Sequence, residues 1–337
     1  MAGMILDAGM RPVEPVADSE GIIKRIDMTR TPGQIELCRY ESRERWLAAR
    51  TVITTGTDAA VLTTDHPYSS LLKTWAKKTG ILVEEDRADD LVDHLTVGNY
   101  IEATICGLLT KKAGVQLLHT KDSIAFNREL PGLGHSPDGF VIDDRGVPCR
   151  LAEFKNVGQW SADRWADGPP PEVVAQCQHG MAVCDMPETY LGVLLGGNDF
   201  RWYIIERDEG WLSLHREALE DFHARLNGGG APDPTSSDAC RDALKAMNPH
   251  IDGDPVALDM AAQDDTDRRE LLKSRIKDDA AECKGIENRM IARLGGLPVG
   301  LLLDGRKWTY REQTRKPSVT KGSTFSVLRA PTKRKTK

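Results

Sequence analysis

Apolar and polar positions along the chain change period several times, and each change marks an element. Leu37, Tyr40, Trp46 and Leu47 recur near helical spacing and predict a helix from Glu36 to Arg50. Thr57 or Asp58 reads as the N-cap of a short helix opening at Ala59-Ala60. Leu95, Ile101, Ile105, Leu108 and Leu109 mark the buried side of a long helix from Leu95 to Gly114. Val115 to Phe126 then reads as one strand. Phe140-Val141-Ile142 and Cys149 to Lys155 are apolar runs joined by Asp143-Asp144-Arg145-Gly146, whose residues tolerate the left-handed backbone of a hairpin turn.

Beyond the hairpin, Pro171 opens a helix on which Val173, Cys177 and Met181 form the core side, while Gln176 and His179 lie on a neighbouring face. Two strands, from Thr189 and from Phe200, meet at Gly196-Gly197-Asn198-Asp199, and Leu219, Phe222 and Leu226 mark a closing helix. After Gly228-Gly229-Gly230 the texture changes. Leu272, Ile276, Cys283, Ile286 and Met290 step by threes and fours, interrupted by Asp279, and predict a helix of coiled-coil character from about Thr266 to Leu294. Leu301 to Tyr310 reads as a hairpin. Residues 1–35, with Pro12, Pro15 and Pro32, read as an irregular arm. The division that follows is an arm over 1–35, a main domain over 36–227, a linker over 228–263 and a C-terminal extension over 264–337.

Composition narrows the class. The 337 residues are 40% hydrophobic and 28% charged, enough for a core of one large domain and an appendage. No run of about 18 apolar residues suggests a membrane span, and the opening Met1 to Leu6 lacks the basic and apolar regions of a secretory signal. Seven cysteines include no C-x-x-C pair, which favours reduced thiols in a cytoplasm over disulfides, a zinc ribbon or an iron–sulfur cluster. The net charge of −6 is mildly adverse for a nucleic-acid binder, but it is unevenly spread. Acidic residues gather at Glu84 to Asp90 and at Asp264 to Asp279, whereas Arg306 to Lys337 is strongly basic, which suits phosphate anchoring and equally a tail that only aids solubility.

Candidate chemistry centres on the hairpin. Side chains alternate along a strand, so Glu153 and Lys155 share one face and Phe154 points into the core. The hairpin can bring Asp138, before the first strand, close to Glu153. Two carboxylates and an ammonium at one sheet edge can hold a hard cation and activate a water. Gln176 follows in the chain as an amide able to orient water or phosphate there. The competing reading is a solvated strand face. Earlier, Arg50 beside the hydroxyl-capped helix start at Thr57 is a ready anion site, with a plain capped helix as the alternative.

Ser136-Pro137-Asp138-Gly139, then Glu153-Phe154-Lys155, then Gln176-Cys177-Gln178 and Met181 resemble the phage-type exonucleases of the YqaJ viral recombinase and lambda exonuclease group, within the PD-(D/E)xK nuclease superfamily. The resemblance spans roughly residues 40–226 and implies a helix over Pro67 to Gly80, with Gly80 as its stop. It implies an α/β fold with a restriction-endonuclease-like core, a central mixed β-sheet flanked by helices, here with a helical and β-hairpin C-terminal extension. It implies that Asp138, Glu153, the carbonyl of Phe154 and Glu102, the last from Gly98-x-x-x-Glu102, bind Mg²⁺ or Mn²⁺. Lys155 and Gln176 complete the catalytic set, and Arg50 and Thr57, spaced from Trp46 as in the family, hold a terminal 5′-phosphate. The implied activity is 5′→3′ exonuclease action on linear double-stranded DNA, leaving 3′ single strands for a single-strand annealing protein, with a homo-oligomer left open and no membrane partner. Val173 and Val174 depart from the family where Tyr is frequent, and Asn156 departs after the lysine; both bear on substrate handling. An endonuclease or RecB-like nuclease module on the same core, and a non-catalytic DNA-end-binding protein, are the alternatives.

Overall fold

The computed structural model describes residues 22–28, 33–82 and 89–312, with the side chains of 89–96 and 99 not described. It divides into two units, Met1–Asn248 and Pro249–Lys337.

The first unit begins with two strands, β1 (Ile22–Asp27) and β2 (Ile35–Tyr40). Three helices follow: α1 (Arg43–Thr51), α2 (Gly56–Thr63) and α3 (Leu71–Lys78). Then come α4 (Asp89–Ala113), β3 (Gln116–His119), β4 (Ser123–Asn127), β5 (Gly134–His135), β6 (Gly139–Ile142) and β7 (Pro148–Val157). A 3₁₀ segment (Gln159–Trp165) leads to α5 (Pro171–Cys184), β8 (Glu188–Leu195), β9 (Asp199–Glu206), α6 (Glu209–Ala224) and α7 (Asp238–Met247).

The central sheet runs β3-β6-β7-β8-β9, antiparallel except for the parallel pair β7 and β8. Parallel neighbours need a long crossover, which the 3₁₀ segment and α5 supply. Both faces of the sheet are covered. Ala152 and Phe154 of β7 meet Ile105 and Leu109 of α4 on one side. On the other, Leu151 packs in one cluster with Cys177 and Met181 of α5 and Leu191 and Val193 of β8. A strand buried on both faces is continuously apolar, so the charged Glu153 and Lys155 in β7 are a break in the pattern. The second sheet, β1-β2-β4-β5, carries its own cluster of Cys38, Tyr40, Ala49, Ile53 and Ile124. The mixed sheet flanked by helices is the fold class expected from the sequence.

Several local expectations are corrected. Ile22–Asp27 within the arm is a strand, and residues 35–40 pair with β1 and β4 instead of starting a helix. Ile35, Leu37 and Cys38 are buried between those neighbours, which overrides the helix-like spacing that continues into α1. Val115 to Phe126 is two strands in different sheets, broken at Asp122, whose φ of 50° turns the chain. The N-cap of α2 is Thr55, with Asp58 accepting from its backbone N–H at 2.8 Å and its hydroxyl at 2.9 Å. The stretch 228–263 contains α7, whose Cys240 and Ala243 are buried and which packs against α3.

The second unit holds α8 (Met260–Leu294) and the hairpin of β10 (Val299–Leu301) and β11 (Lys307–Thr309). None of the side chains of α8 is buried. The acidic run at 84–88 and residues 313–337 of the basic tail lie outside the described residues. All seven cysteines are unpaired. Among the described residues no helix is long and apolar enough to cross a membrane.

One contact ties the two sheets together through α5. A Cβ on Gly180 would lie 2.6 Å from Nε2 and 2.8 Å from Cε1 of the buried His135 imidazole. Alanine normally stabilises a helix over glycine by about 1 kcal/mol. Gly180→Ala is expected to do the reverse, lowering the unfolding free energy by about 1–3 kcal/mol through overpacking; urea unfolding of the variant reads the sign.

Candidate active site

Strand β7 delivers three consecutive residues to the site, and the strand period decides where each points. Phe154 faces the α4 cluster, while Glu153 and Lys155 face α5. Asp138 sits one residue before β6, and its carboxylate accepts the Phe154 N–H at 2.7 Å. The loop acid is thereby fixed to the strand that carries Glu153, as the hairpin reading requires.

Glu153 is only 2% exposed. A carboxylate at that depth is costly unless it is paired and hydrogen-bonded. Its Oε1 accepts from the Lys155 ammonium at 2.7 Å and from the Gln176 side-chain amide at 2.7 Å. The Gln176 carbonyl accepts from the same ammonium at 2.8 Å, closing a three-membered ring of contacts. Burial works against the Lys155 charge, but Glu153 and Asp138 outweigh it and keep its pKa above the usual lysine value. Burial also pushes Asp138 well above the usual carboxylate range, helped by the charge of Glu153. Cys177, beside this group, is likewise pushed up by burial and by Glu153, which leaves it a neutral thiol.

Glu102 joins less tightly. Its carboxylate lies 4.0 Å from the His119 imidazole, and burial, with Glu153 adding to it, raises its pKa. Three carboxylates thus repel one another across a single locus, with Lys155 as the cation directly bonded to one of them. As they stand, no three His, Cys, Asp or Glu side chains among the described residues are gathered into a cage for a metal ion. The available donors are all hard oxygens that repel one another, which fits Mg²⁺ or Mn²⁺ and not a soft metal.

Arg50 and Thr57 come from the end of α1 and the first turn of α2. The Arg50 guanidinium stands 4.6 Å over the Trp46 ring and 3.5 Å from the Thr57 hydroxyl. Burial lowers its pKa, offset in part by Asp58, Glu153 and Asp138, so its field overlaps that of the carboxylates. Lys78 fixes this corner: its ammonium donates to the carbonyls of Arg50 at 2.7 Å and Ile53 at 2.5 Å and pairs with Asp58 at 2.8 Å. Thr57, Lys155 and Gln176 line one cleft of about 360 Å³.

Lys78 was not among the sequence candidates. Lys78 read as the end of a helix, and only the fold brings it beneath Arg50. The Ser136 hydroxyl is buried without a partner among the described residues, two positions before Asp138. Of the two tryptophans in the crossover, Trp165 is core and packs near Tyr203, whereas Trp160 is 98% exposed.

His135 reaches to 4.0 Å from Glu153 and begins a layer of buried histidines behind the acids. His179 donates from Nε2 to the Gly134 carbonyl at 3.1 Å. A neutral ring then leaves Nδ1 as an acceptor, so His215 Nε2, 3.0 Å away, is the donor. That assignment leaves His215 Nδ1 a bare acceptor, in agreement with its having no partner among the described residues. His223 Nε2 meets the Thr54 hydroxyl at 2.8 Å. Burial is the main cause that depresses these rings, to about 4 for His179, about 3 for His215 and about 4 for His223.

Residues 45–187 match the model of the YqaJ-like viral recombinase domain. The uncharacterized protein YqaJ of Bacillus subtilis (strain 168) is 24% identical over 255 residues, covering 74% of this chain and 77% of its own. Among solved structures, an alkaline exonuclease (LHK-Exo) from Laribacter hongkongensis is similar at 20% identity and a TM-score of 0.44, over 55% of this chain and 92% of its own. The structure of LHK-Exo in complex with dAMP gives 21% identity and a TM-score of 0.44 over the same shares.

The histidine layer has a measurable consequence. The folded pKa values of His179, His215 and His223 lie below the ordinary 6.5, so in acid the unfolded chain binds more protons. Their contribution is complete above about pH 6.5 and drains as the pH falls toward 4. Urea unfolding free energies measured across this window are expected to fall by several kcal/mol, with more than one extra proton taken up on unfolding; a flat profile contradicts the buried neutral assignment.

Proposed function

We propose that the protein, whose residues 45–187 match the model of the YqaJ-like viral recombinase domain, is a divalent-metal-dependent deoxyribonuclease that acts exonucleolytically, 5′→3′, on linear double-stranded DNA and leaves 3′ single strands. The observation that carries this reading is the ring of Glu153, Lys155 and Gln176, with Asp138 locked to the same strand, beside a cleft that Thr57 also lines.

In this proposal Asp138, Glu153, the Phe154 carbonyl and Glu102 hold Mg²⁺ or Mn²⁺. When bound, such an ion acts as a Lewis acid on a phosphate oxygen and makes a neighbouring water a usable nucleophile near neutral pH. Lys155 presents a permanent positive charge beside the acids and offsets the negative charge that grows on the phosphorus oxygens in the transition state. Gln176 holds Glu153 and Lys155 at once, so it orients both without carrying charge. Asp138, tied by the Phe154 N–H, cannot swing away from β7. Arg50 and Thr57 receive the terminal 5′-phosphate, with Trp46 holding the guanidinium in place and Lys78 bracing the loop below. A 5′-phosphate anchor near the acids is what separates end-dependent cutting from internal cutting, so this feature favours an exonuclease over an endonuclease on the same core. The intact acid–lysine pair weighs against a DNA-end-binding protein without activity. The unpaired cysteines suit a reducing, cytoplasmic setting, and a single-strand annealing protein is the partner the products call for.

The test uses linear duplex DNA carrying a 5′ or a 3′ end label, with and without divalent metal. Wild type is expected to release 5′ nucleotides only with metal. Lys155→Ala is expected to bind DNA as wild type does and to lose turnover by about 10²–10³-fold. Retained turnover in that variant, or nicking of closed circular DNA by wild type, contradicts the proposal.

A further inference from the structure

We infer that Tyr68 and Arg164 form a nucleobase subsite in the cleft beside Lys155, which stacks the base of the nucleotide being removed. This inference rests on the nuclease reading above and adds a residue-level contact to it.

The cleft shared by Thr57, Lys155 and Gln176 continues over His66, Tyr68, Arg164 and Glu172. Tyr68 is a large aromatic that is 64% exposed, yet its position is set from two sides. The His66 ring meets it edge-on at 6.2 Å and 78°, and His66 Nδ1 accepts the Tyr68 backbone N–H at 3.2 Å. The Arg164 guanidinium lies 5.9 Å from the Tyr68 ring centroid and is held by Glu172 at 2.5 Å. Arg164 comes from the 3₁₀ segment that follows β7, and Tyr68 comes from the turn between α2 and α3. Two distant stretches of chain therefore place one planar cation and one aromatic ring at a single opening.

An exposed aromatic held rigid is the requirement for stacking a base with little loss of side-chain freedom, and a neighbouring arginine adds a cation–π contribution. Every base has a π-face, so such a contact grips successive nucleotides without regard to sequence. The polar partners in the cleft, Lys155 and Thr57 among them, suit the phosphate and sugar of the same nucleotide. Burial keeps the His66 imidazole below its ordinary pKa, so it supports Tyr68 as a neutral ring at neutral pH. A purely structural clamp between Arg164 and Tyr68 would hold the loop equally well and would be indifferent to whether a base is present.

Two measurements on the full-length protein separate these cases. The first compares hydrolysis of linear duplexes whose 5′-terminal nucleotide either carries its base or is an abasic tetrahydrofuran. Wild type is expected to favour the base-bearing end by about tenfold in kcat/KM, a typical worth for base–aromatic stacking. Tyr68→Ala and Arg164→Ala are expected to reduce that ratio, with Tyr68→Ala bringing it close to one, while Tyr68→Phe preserves it. The second follows 2-aminopurine deoxyribonucleoside 5′-monophosphate, whose fluorescence is quenched on stacking, with wild type and Tyr68→Ala at equilibrium. Quenching that depends on Tyr68 supports the subsite even if no hydrolysis is seen, in which case the nuclease reading alone fails. Equal treatment of the two ends by an active wild type, or quenching unchanged in Tyr68→Ala, overturns the inference.

Discussion

Glu153 is a carboxylate placed where the fold would otherwise put an apolar side chain. β7 is covered by α4 on one face and by α5 on the other, and an ion there survives only with partners that the same fold delivers. Lys155 arrives from two residues along the strand and Gln176 from the facing helix, and both reach the same oxygen. Removing either leaves a buried charge short of a partner, which is expensive, so the strand, the helix and the acid are mutually dependent. The position of α5 is constrained in turn by Gly180, which lets the His135 ring come within contact distance. The geometry of the site is therefore a condition of packing the domain as well as of its chemistry.

That condition shapes the electrostatics. Two further acids, Asp138 and Glu102, are held toward their protonated forms by burial and by the charge of Glu153. A single lysine does not balance three carboxylates, and the imbalance is the physical reason to expect a divalent cation. Arg50 lies within the same field but is occupied with Trp46 and Thr57, which suits an anchor for an incoming anion better than a counter-ion to the acids. The histidines behind the acids stay neutral and add no charge of their own at neutral pH.

The legible parts of the sequence were those with a short period or a tight spacing. Asp138, Glu153, Lys155 and Gln176 could be grouped because one hairpin and the next helix bring them together, and the alternation in β7 assigned each its face. Arg50 and Thr57 were paired for a similar reason, being seven residues apart across one turn. The strand at 35–40 was misread as helix because its apolar residues run on into α1, and the partner that makes it a strand, β4, lies some ninety residues away. Thr55, not Thr57 or Asp58, caps α2 because Asp58 folds back onto it. Lys78, His135, Tyr68 and Arg164 carry no local pattern. The contacts that bring them to the site, Lys78 with Arg50, His135 with Glu153 and Tyr68 with Arg164, each join separate elements and are set by tertiary packing.

The central claim is that Asp138 and Glu153 share one divalent ion, and Mn²⁺ binding followed by electron paramagnetic resonance tests it without requiring turnover. The account predicts that wild type takes up Mn²⁺ with loss of the free-ion signal and that Asp138→Asn, folded to the same extent by circular dichroism, weakens this uptake at least tenfold. Mn²⁺ uptake that is absent in wild type, or equally strong in Asp138→Asn, would contradict it.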